Sequence, residues 1–201
     1  AAPTPETPPH RQLAPGLSCP IGFKNGTDGG VQMAADALVS CRSPHAFMGM
    51  TKMGVAAVFE TEGNGDCHII LRGGTRGPNY GAGEVDAACA ILRKSGVTER
   101  VMVDCSHANS AKDYRRQPAV ARDVAGEGAR GERRNPGLLV ESHPEAGRQD
   151  LKPGVALQPG VSITDACIGW EETEGVLREL AAAGGGTRGR RGWGGGRSPP
   201  A

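Results

Sequence analysis

The sequence predicts an α/β fold built on a parallel sheet, and three observations carry that reading. Short apolar runs recur along the chain, segments of helical period follow several of them, and turn residues punctuate the two. The first run is Pro20-Ile21-Gly22-Phe23, after which Val31, Ala34, Ala35 and Leu38 share one helical face. Residues 46–51 and 55–59, joined through Lys52-Met53-Gly54, read as a hairpin inserted into the alternation and closed by Gly63-Asn64-Gly65-Asp66. His68-Ile69-Ile70-Leu71 resumes the strands. Val85, Ala88, Cys89 and Leu92 form the next helical face, with Gly96 placed as a helix-ending glycine. Residues 101–105 and 138–140 supply two more strands. Val176, Leu177 and Leu180 line a last helix that Gly184 is placed to end. Between them, residues 126–136 read as a solvated loop or a poor helix end.

Composition limits what such a fold can be. Gly (32) and Pro (15) make up almost a quarter of the 201 residues, and the net charge is +1, which rules out a polybasic nucleic-acid binder as the default. No apolar run reaches the roughly 18 residues of a membrane helix, and no signal segment opens the chain. Position 1 is Ala, which reads as a piece of a longer product. The expected organisation is a Pro-rich lead-in at 1–16, a globular body at 17–183 and a disordered Gly/Arg-rich tail at 184–201. That tail has four Arg and Trp193, which keeps an RNA-associated role open as a minor alternative. The six cysteines show no CxxC and no zinc-finger spacing, so they read as buried free thiols of a reducing cytosol. No nucleotide-binding glycine motif follows a strand.

In parallel α/β folds the chemistry gathers beyond the carboxyl ends of the strands. The polar residues closing the predicted strands are Lys24, Arg72, Asp104 with His107, and Glu141; Asp165 is expected at the head of the last helix. Arg72 lies 35 residues before His107, and His107 lies 34 before Glu141, a spacing that suits successive βα units. Lys24 and Arg72 suit a phosphate or carboxylate, with Gly73-Gly74 expected to let backbone N–H groups approach the anion. His107, Glu141 and Asp165 offer one imidazole and two carboxylates, a set for Mn²⁺, Fe²⁺, Co²⁺ or Zn²⁺ rather than Ca²⁺. His143, two residues after Glu141, is a candidate for support behind that set. His10 and His45 read as surface groups, and His68 as a residue satisfied within its strand.

Five ordered strings carry a resemblance: Gly22-Phe23-Lys24-Asn25-Gly26-Thr27-Asp28-Gly29, Gly65-Asp66-Cys67-His68-Ile69-Ile70-Leu71-Arg72-Gly73-Gly74, Asp104-Cys105-Ser106-His107-Ala108-Asn109-Ser110, Val140-Glu141-Ser142-His143 and Ser162-Ile163-Thr164-Asp165-Ala166-Cys167-Ile168-Gly169-Trp170. In order and spacing they resemble class I 3-deoxy-D-arabino-heptulosonate 7-phosphate synthase, from about His10 to Leu180. The resemblance implies the carboxyl-terminal half of a (β/α)8 TIM barrel, strands five to eight plus an inserted hairpin. It implies condensation of phosphoenolpyruvate with erythrose 4-phosphate, the entry to the shikimate pathway and aromatic amino acid biosynthesis, by a cytoplasmic homo-oligomer. By motif match, Lys24 and Arg72 would bind phosphoenolpyruvate, and His107, Glu141 and Asp165 would be metal ligands. Lys24, Arg72 and His107 would be the catalytic residues.

The sequence also departs from that family. Its metal-binding Cys on the first barrel strand and its Lys-Pro-Arg-Thr motif on the second have no counterpart here, and Pro3 stands where an Arg would hold phosphate. A chain with these gaps is expected to be inactive alone, while its full-length parent is expected to be active. Gly16, Ser18, Phe47 and Gly49 match a feedback pocket for an aromatic amino acid. The small residue at Gly49 favours tyrosine as the effector, because a glycine leaves room for a phenol hydroxyl. The competing reading of Gly49 is close strand packing. A sister family making an eight-carbon sugar phosphate shares the chemistry, but the Lys24 string and the Ile163–Trp170 string favour the seven-carbon product.

Overall fold

The computed structural model describes residues 13–132, 134 and 137–185. Most of the lead-in, including Pro3 and His10, and the tail with Trp193 lie outside the described residues.

Four strands form a parallel sheet: β1 (Gly22–Lys24), β4 (His68–Leu71), β5 (Val101–Asp104) and β6 (Gly137–Leu139), side by side in that order. A bridge from Ser142 to Ile168 extends the pairing one position beyond β6. No closed barrel forms among the described residues. The central strands read as unbroken apolar runs because both faces are covered: Ile69, Ile70 and Leu71 in β4, and Val101 and Val103 in β5, are buried.

Helices α1 (Gln32–Cys41) and α2 (Ala82–Lys94) cover one end of the sheet with the faces expected of them. Ala34, Ala35, Leu38, Val85, Ala88, Cys89 and Leu92 close around Phe23, Ile69, Leu71 and Val101. Gly96, with φ +70°, turns the chain out of α2, a conformation that costs glycine little.

Helix α3 (Gln117–Ala129) has no sequence prediction to match it, and α4 (Trp170–Gly185) packs beside it. Val120, Ala121 and Val124 meet Val176, with Leu180 alongside, over Val103 and Cys105. Pro118 sits in the first turn, where its missing N–H costs nothing, but Gly126 and Gly128 weaken the helical pattern in sequence. The stretch 126–136, read as a solvated loop or a poor helix end, is the end of this helix as far as Ala129. Leu177 departs from its predicted face and is 54 % exposed. Gly184 lies within α4 rather than just beyond it.

The hairpin is present as β2 (His45–Met50) and β3 (Ala56–Thr61), a separate antiparallel pair with Phe47 opposite Phe59 and Gly49 opposite Ala57. Its tight end turns at Gly54, φ +74°. No helix among the described residues is long and apolar enough to cross a membrane. Of the cysteines, Cys41, Cys89, Cys105 and Cys167 are buried free thiols as expected, whereas Cys67 is half-buried and Cys19 is exposed.

Candidate functional site

Beyond the carboxyl ends of β1, β4, β5 and β6 lies a cavity of about 630 Å³, lined among others by Arg72, Ser106, His107, Glu141, Arg148 and Asp165. Lys24 lies behind its wall, in contact with His107. The Lys24 Nζ lies 2.7 Å from Asp104 Oδ2 and 3.1 Å from His107 Nε2. His107 Nε2 is 3.6 Å from Glu141 Oε1. One ligand atom each from His107, Glu141 and Asp165 fall within 4.8 Å of one another. All five candidate residues thus converge, as the strand-end spacing requires. Asp165, however, sits on an exposed loop five residues before α4 instead of at its head.

The electrostatics follow from that crowding. Burial pushes the Asp104 carboxyl up, but hydrogen bonds from Lys24 and Ser106 outweigh it and hold the group below its ordinary value. Asp104 Oδ2 is buried, and the Lys24 ammonium 2.7 Å away compensates its charge. Burial lowers the His107 pKa, and the Lys24 and Arg72 cations add to this against the pull of Asp104. Glu141 is pushed up to about 7, first by burial and then by the neighbouring Asp165 and Asp104 carboxylates. Glu141 is thus a carboxyl whose charged form is disfavoured first by burial and then by its acidic neighbours.

His107 takes a left-handed backbone, φ +53°, a strained state for a residue with a Cβ. Its carbonyl is fixed by Lys112 N at 2.7 Å and Ser110 Oγ at 3.2 Å. That turn aims the imidazole back toward β1.

Sequence reasoning missed the scaffold beneath these groups. Asn25 Oδ1 accepts from Arg72 N at 2.8 Å, and Asn25 Nδ2 donates to Gly73 O at 3.0 Å. Asn109 Nδ2 donates to Leu71 O and Asp104 O, and Asn109 Oδ1 accepts from Asn79 N. Asn79 closes the circuit onto Asn25. These amides lock the ends of β1, β4 and β5 together. Asn25 and Asn109 stand inside the quoted strings, but nothing in their spacing announces the network. Gln117, fully buried, clasps the Glu141 backbone, accepting from its N–H at 2.8 Å and donating to its carbonyl at 3.3 Å. Lys112 and Arg148 add cations to the cavity wall.

Gly73 and Gly74 correct an expectation. Their N–H groups donate to Asn79 Oδ1 and Gly77 O, so they do not face an anion. Both are glycine because backbone passes too close: a Cβ on Gly74 would lie 2.2 Å from Gly29 N, and one on Gly73 2.8 Å from Ala108 C. His143 bonds the Gly160 carbonyl, a contact that ties down its own loop. Away from the cavity, Gly16 lies against Thr61, Ser18 is on an exposed bend, and Phe47 stacks on Phe59 with centroids 5.8 Å apart. The Phe59 ring also fills the space a Cβ on Gly49 would need, 2.8 Å away.

Comparison with known proteins places this geometry. A family model described as the DAHP synthetase I family matches residues 1–178. A phospho-2-dehydro-3-deoxyheptonate aldolase of Haemophilus influenzae is 52 % identical over 180 residues, 90 % of this chain and 50 % of that protein. The Phe-sensitive phospho-2-dehydro-3-deoxyheptonate aldolase of Escherichia coli K12 is also 52 % identical, over 90 % of this chain and 51 % of its own length. The solved phospho-2-dehydro-3-deoxyheptonate aldolase of Francisella tularensis superposes with a TM-score of 0.86 at 44 % identity, covering 94 % of this chain and 55 % of that one. The chain spans about half the length of the curated relatives it matches. With the family model covering most of its residues, the chain belongs to the DAHP synthetase I family.

Proposed function

We propose that this chain supplies the carboxyl-terminal half of a synthase that condenses phosphoenolpyruvate with erythrose 4-phosphate. The products are 3-deoxy-D-arabino-heptulosonate 7-phosphate and phosphate. The single observation that carries the reading is the convergence of His107, Glu141 and Asp165 within 4.8 Å beside Lys24 and Arg72. Parallel strands that neighbour one another in chain order, apart from the hairpin, support placement in a (β/α)8 barrel.

The donor set of one imidazole and two carboxylates, in a pocket where carboxylates repel, fits a borderline divalent metal. His107, Glu141 and Asp165 would hold it, and when bound it supplies a Lewis acid for the aldehyde oxygen. The other tasks fall to the chain's own groups. Arg72, on a strand end tied down by Asn25, presents a planar fork to the phosphoenolpyruvate anion, and Lys24 adds a point charge. In the reaction carbon 3 of the enol bonds to the aldehyde carbon, water adds at carbon 2, and phosphate leaves with carbon–oxygen cleavage. The half that this chain does not span completes the site, so the chain alone does not turn over. Gly16, Ser18, Phe47 and Gly49 contribute to a pocket for an aromatic amino acid effector.

The test joins this chain to the amino-terminal half of the Haemophilus relative. Phosphate release from phosphoenolpyruvate should require erythrose 4-phosphate and a divalent metal, and should be absent from the chain alone. A chimera in which Arg72→Ala costs nothing, or which prefers arabinose 5-phosphate, overturns the proposal. A folded chimera that binds Mn²⁺ but releases no phosphate assigns the chain to an inactive remnant.

A further inference from the structure

At the end of the sheet remote from the cavity, two cysteines 26 residues apart face each other. Cys41 closes α1, and Cys67 stands one residue before β4. Their sulfurs are 3.3 Å apart. A disulfide needs about 2.05 Å, so bonding asks for little more than small side-chain rotations.

The surrounding backbone fixes both residues. Asn64 N donates to the Cys41 carbonyl at 2.8 Å, and Asn64 Oδ1 accepts from Asp66 N at 3.0 Å. Asn64 Nδ2 ties the same corner to Cys19 O and Ala14 O. Gly63, with φ +88°, runs so close to the end of α1 that a Cβ would lie 2.4 Å from Arg42 O. Nothing in the proposed synthase reaction uses either thiol.

We propose that Cys41 and Cys67 are an oxidation site: a dithiol that a peroxide converts to a disulfide, stapling the end of α1 to the start of β4. The two thiols divide the labour. Cys67 is half-buried and reachable, while Cys41 is 1 % exposed. The hydrogen bond from Cys41 lowers the Cys67 pKa against its burial, and the same contact with burial raises Cys41. Cys67 as thiolate therefore attacks hydrogen peroxide, breaking the O–O bond to give a sulfenic acid and hydroxide, which takes up the proton that Cys67 released on ionising and leaves as water. Cys41 sulfur then displaces hydroxide from the Cys67 sulfur, and its proton leaves with that hydroxide as a second water. Two thiols lose two electrons in total, and one peroxide gains them. Cys89, Cys105 and Cys167 are buried with pKa values raised, first by burial, which leaves them poor competitors.

The bond would close a loop containing the whole β2–β3 hairpin, constraining the unfolded chain. Because β4 separates Cys67 from Arg72, oxidation acts on stability and leaves the cavity intact.

The experiment treats the native 201-residue chain with one equivalent of hydrogen peroxide, blocks remaining thiols and digests with trypsin. Residues 25–42 should appear joined to residues 53–72, lighter than their sum by two hydrogens and separable by dithiothreitol. The oxidised chain should melt about 5–10 °C higher. In Cys41→Ser, Cys67 should accumulate a dimedone-reactive sulfenic acid; in Cys67→Ser, Cys41 should stay reduced. Disulfides scattered over the six cysteines, or Cys67 driven to sulfinic acid with Cys41 still a thiol, would overturn the assignment.

Discussion

Replacing Asp104 by Asn removes one buried charge from beside Lys24 and His107 while keeping the side chain's shape. Asp104 is fully buried and its partner Lys24 nearly so, with side-chain exposures of 0 % and 13 %. At 2.7 Å and an effective dielectric of about 20, the pair attracts by roughly 6 kcal/mol. Part of that is offset because a neutral Asn no longer bears the cost of burying a carboxylate. What remains is a lysine without its counter-ion, and breaking a buried pair in this way costs about 3–5 kcal/mol. His107 Nε2, 3.1 Å from Nζ, still accepts from Lys24, which favours the lower end. Asn Oδ1 can also go on accepting from Ser106 N, as Asp104 does at 2.9 Å. Urea unfolding at pH 7 should therefore show a loss near 3 kcal/mol, a midpoint about 1.5 M lower with the slope unchanged. The pH dependence supplies a second test. The Asp104 pKa is lowered in the fold, so its stabilisation is complete above the ordinary carboxylate value of 3.8. It disappears as pH falls through the lower native value, so the two proteins should converge in acid. An Asn variant within about 1 kcal/mol of the parent at pH 7 would refute the claim that this ion pair anchors Lys24.

Other outcomes follow from the same geometry. Glu141 titrates near 7 in the metal-free fold, so Mn²⁺ affinity should rise about tenfold between pH 6 and pH 8 in calorimetric titrations, and Glu141→Gln should flatten that dependence. Its raised pKa has the opposite sign from Asp104: the native state keeps a proton that the unfolded state has lost, so metal-free stability should fall as pH climbs from 4.5 to about 7. Gly74→Ala drives a Cβ into the Gly29 backbone, which cannot yield, and should cost more than 3 kcal/mol in thermal melts. Gly175→Ala, in the middle of α4 with open space around it, should instead stabilise by about 0.5–1 kcal/mol.

Much of this molecule could be read from its sequence because local patterns reach the tertiary level undistorted. The apolar runs of β4 and β5 are strands buried on both faces, and the Val85–Leu92 period is the buried face of α2. Lys24, Arg72, His107 and Glu141 were legible as one site because parallel strands deliver their carboxyl ends to the same rim. Helix α3 was not legible, since Pro118, Gly126 and Gly128 blur its period and only packing against α4 sustains it. The glycines at 73 and 74 misled, because a sequence marks where a Cβ is absent and not what lies in its place. The amide circuit of Asn25, Asn79 and Asn109, the Gln117 clasp on Glu141 and the Cys41–Cys67 contact join residues 24 to 54 positions apart. The sequence by itself determined the order of the strands and which polar side chains stand at their carboxyl ends. Only the tertiary structure decided which of them touch, because hydrogen bonds and charge pairs act over a few ångströms and folding alone sets those distances.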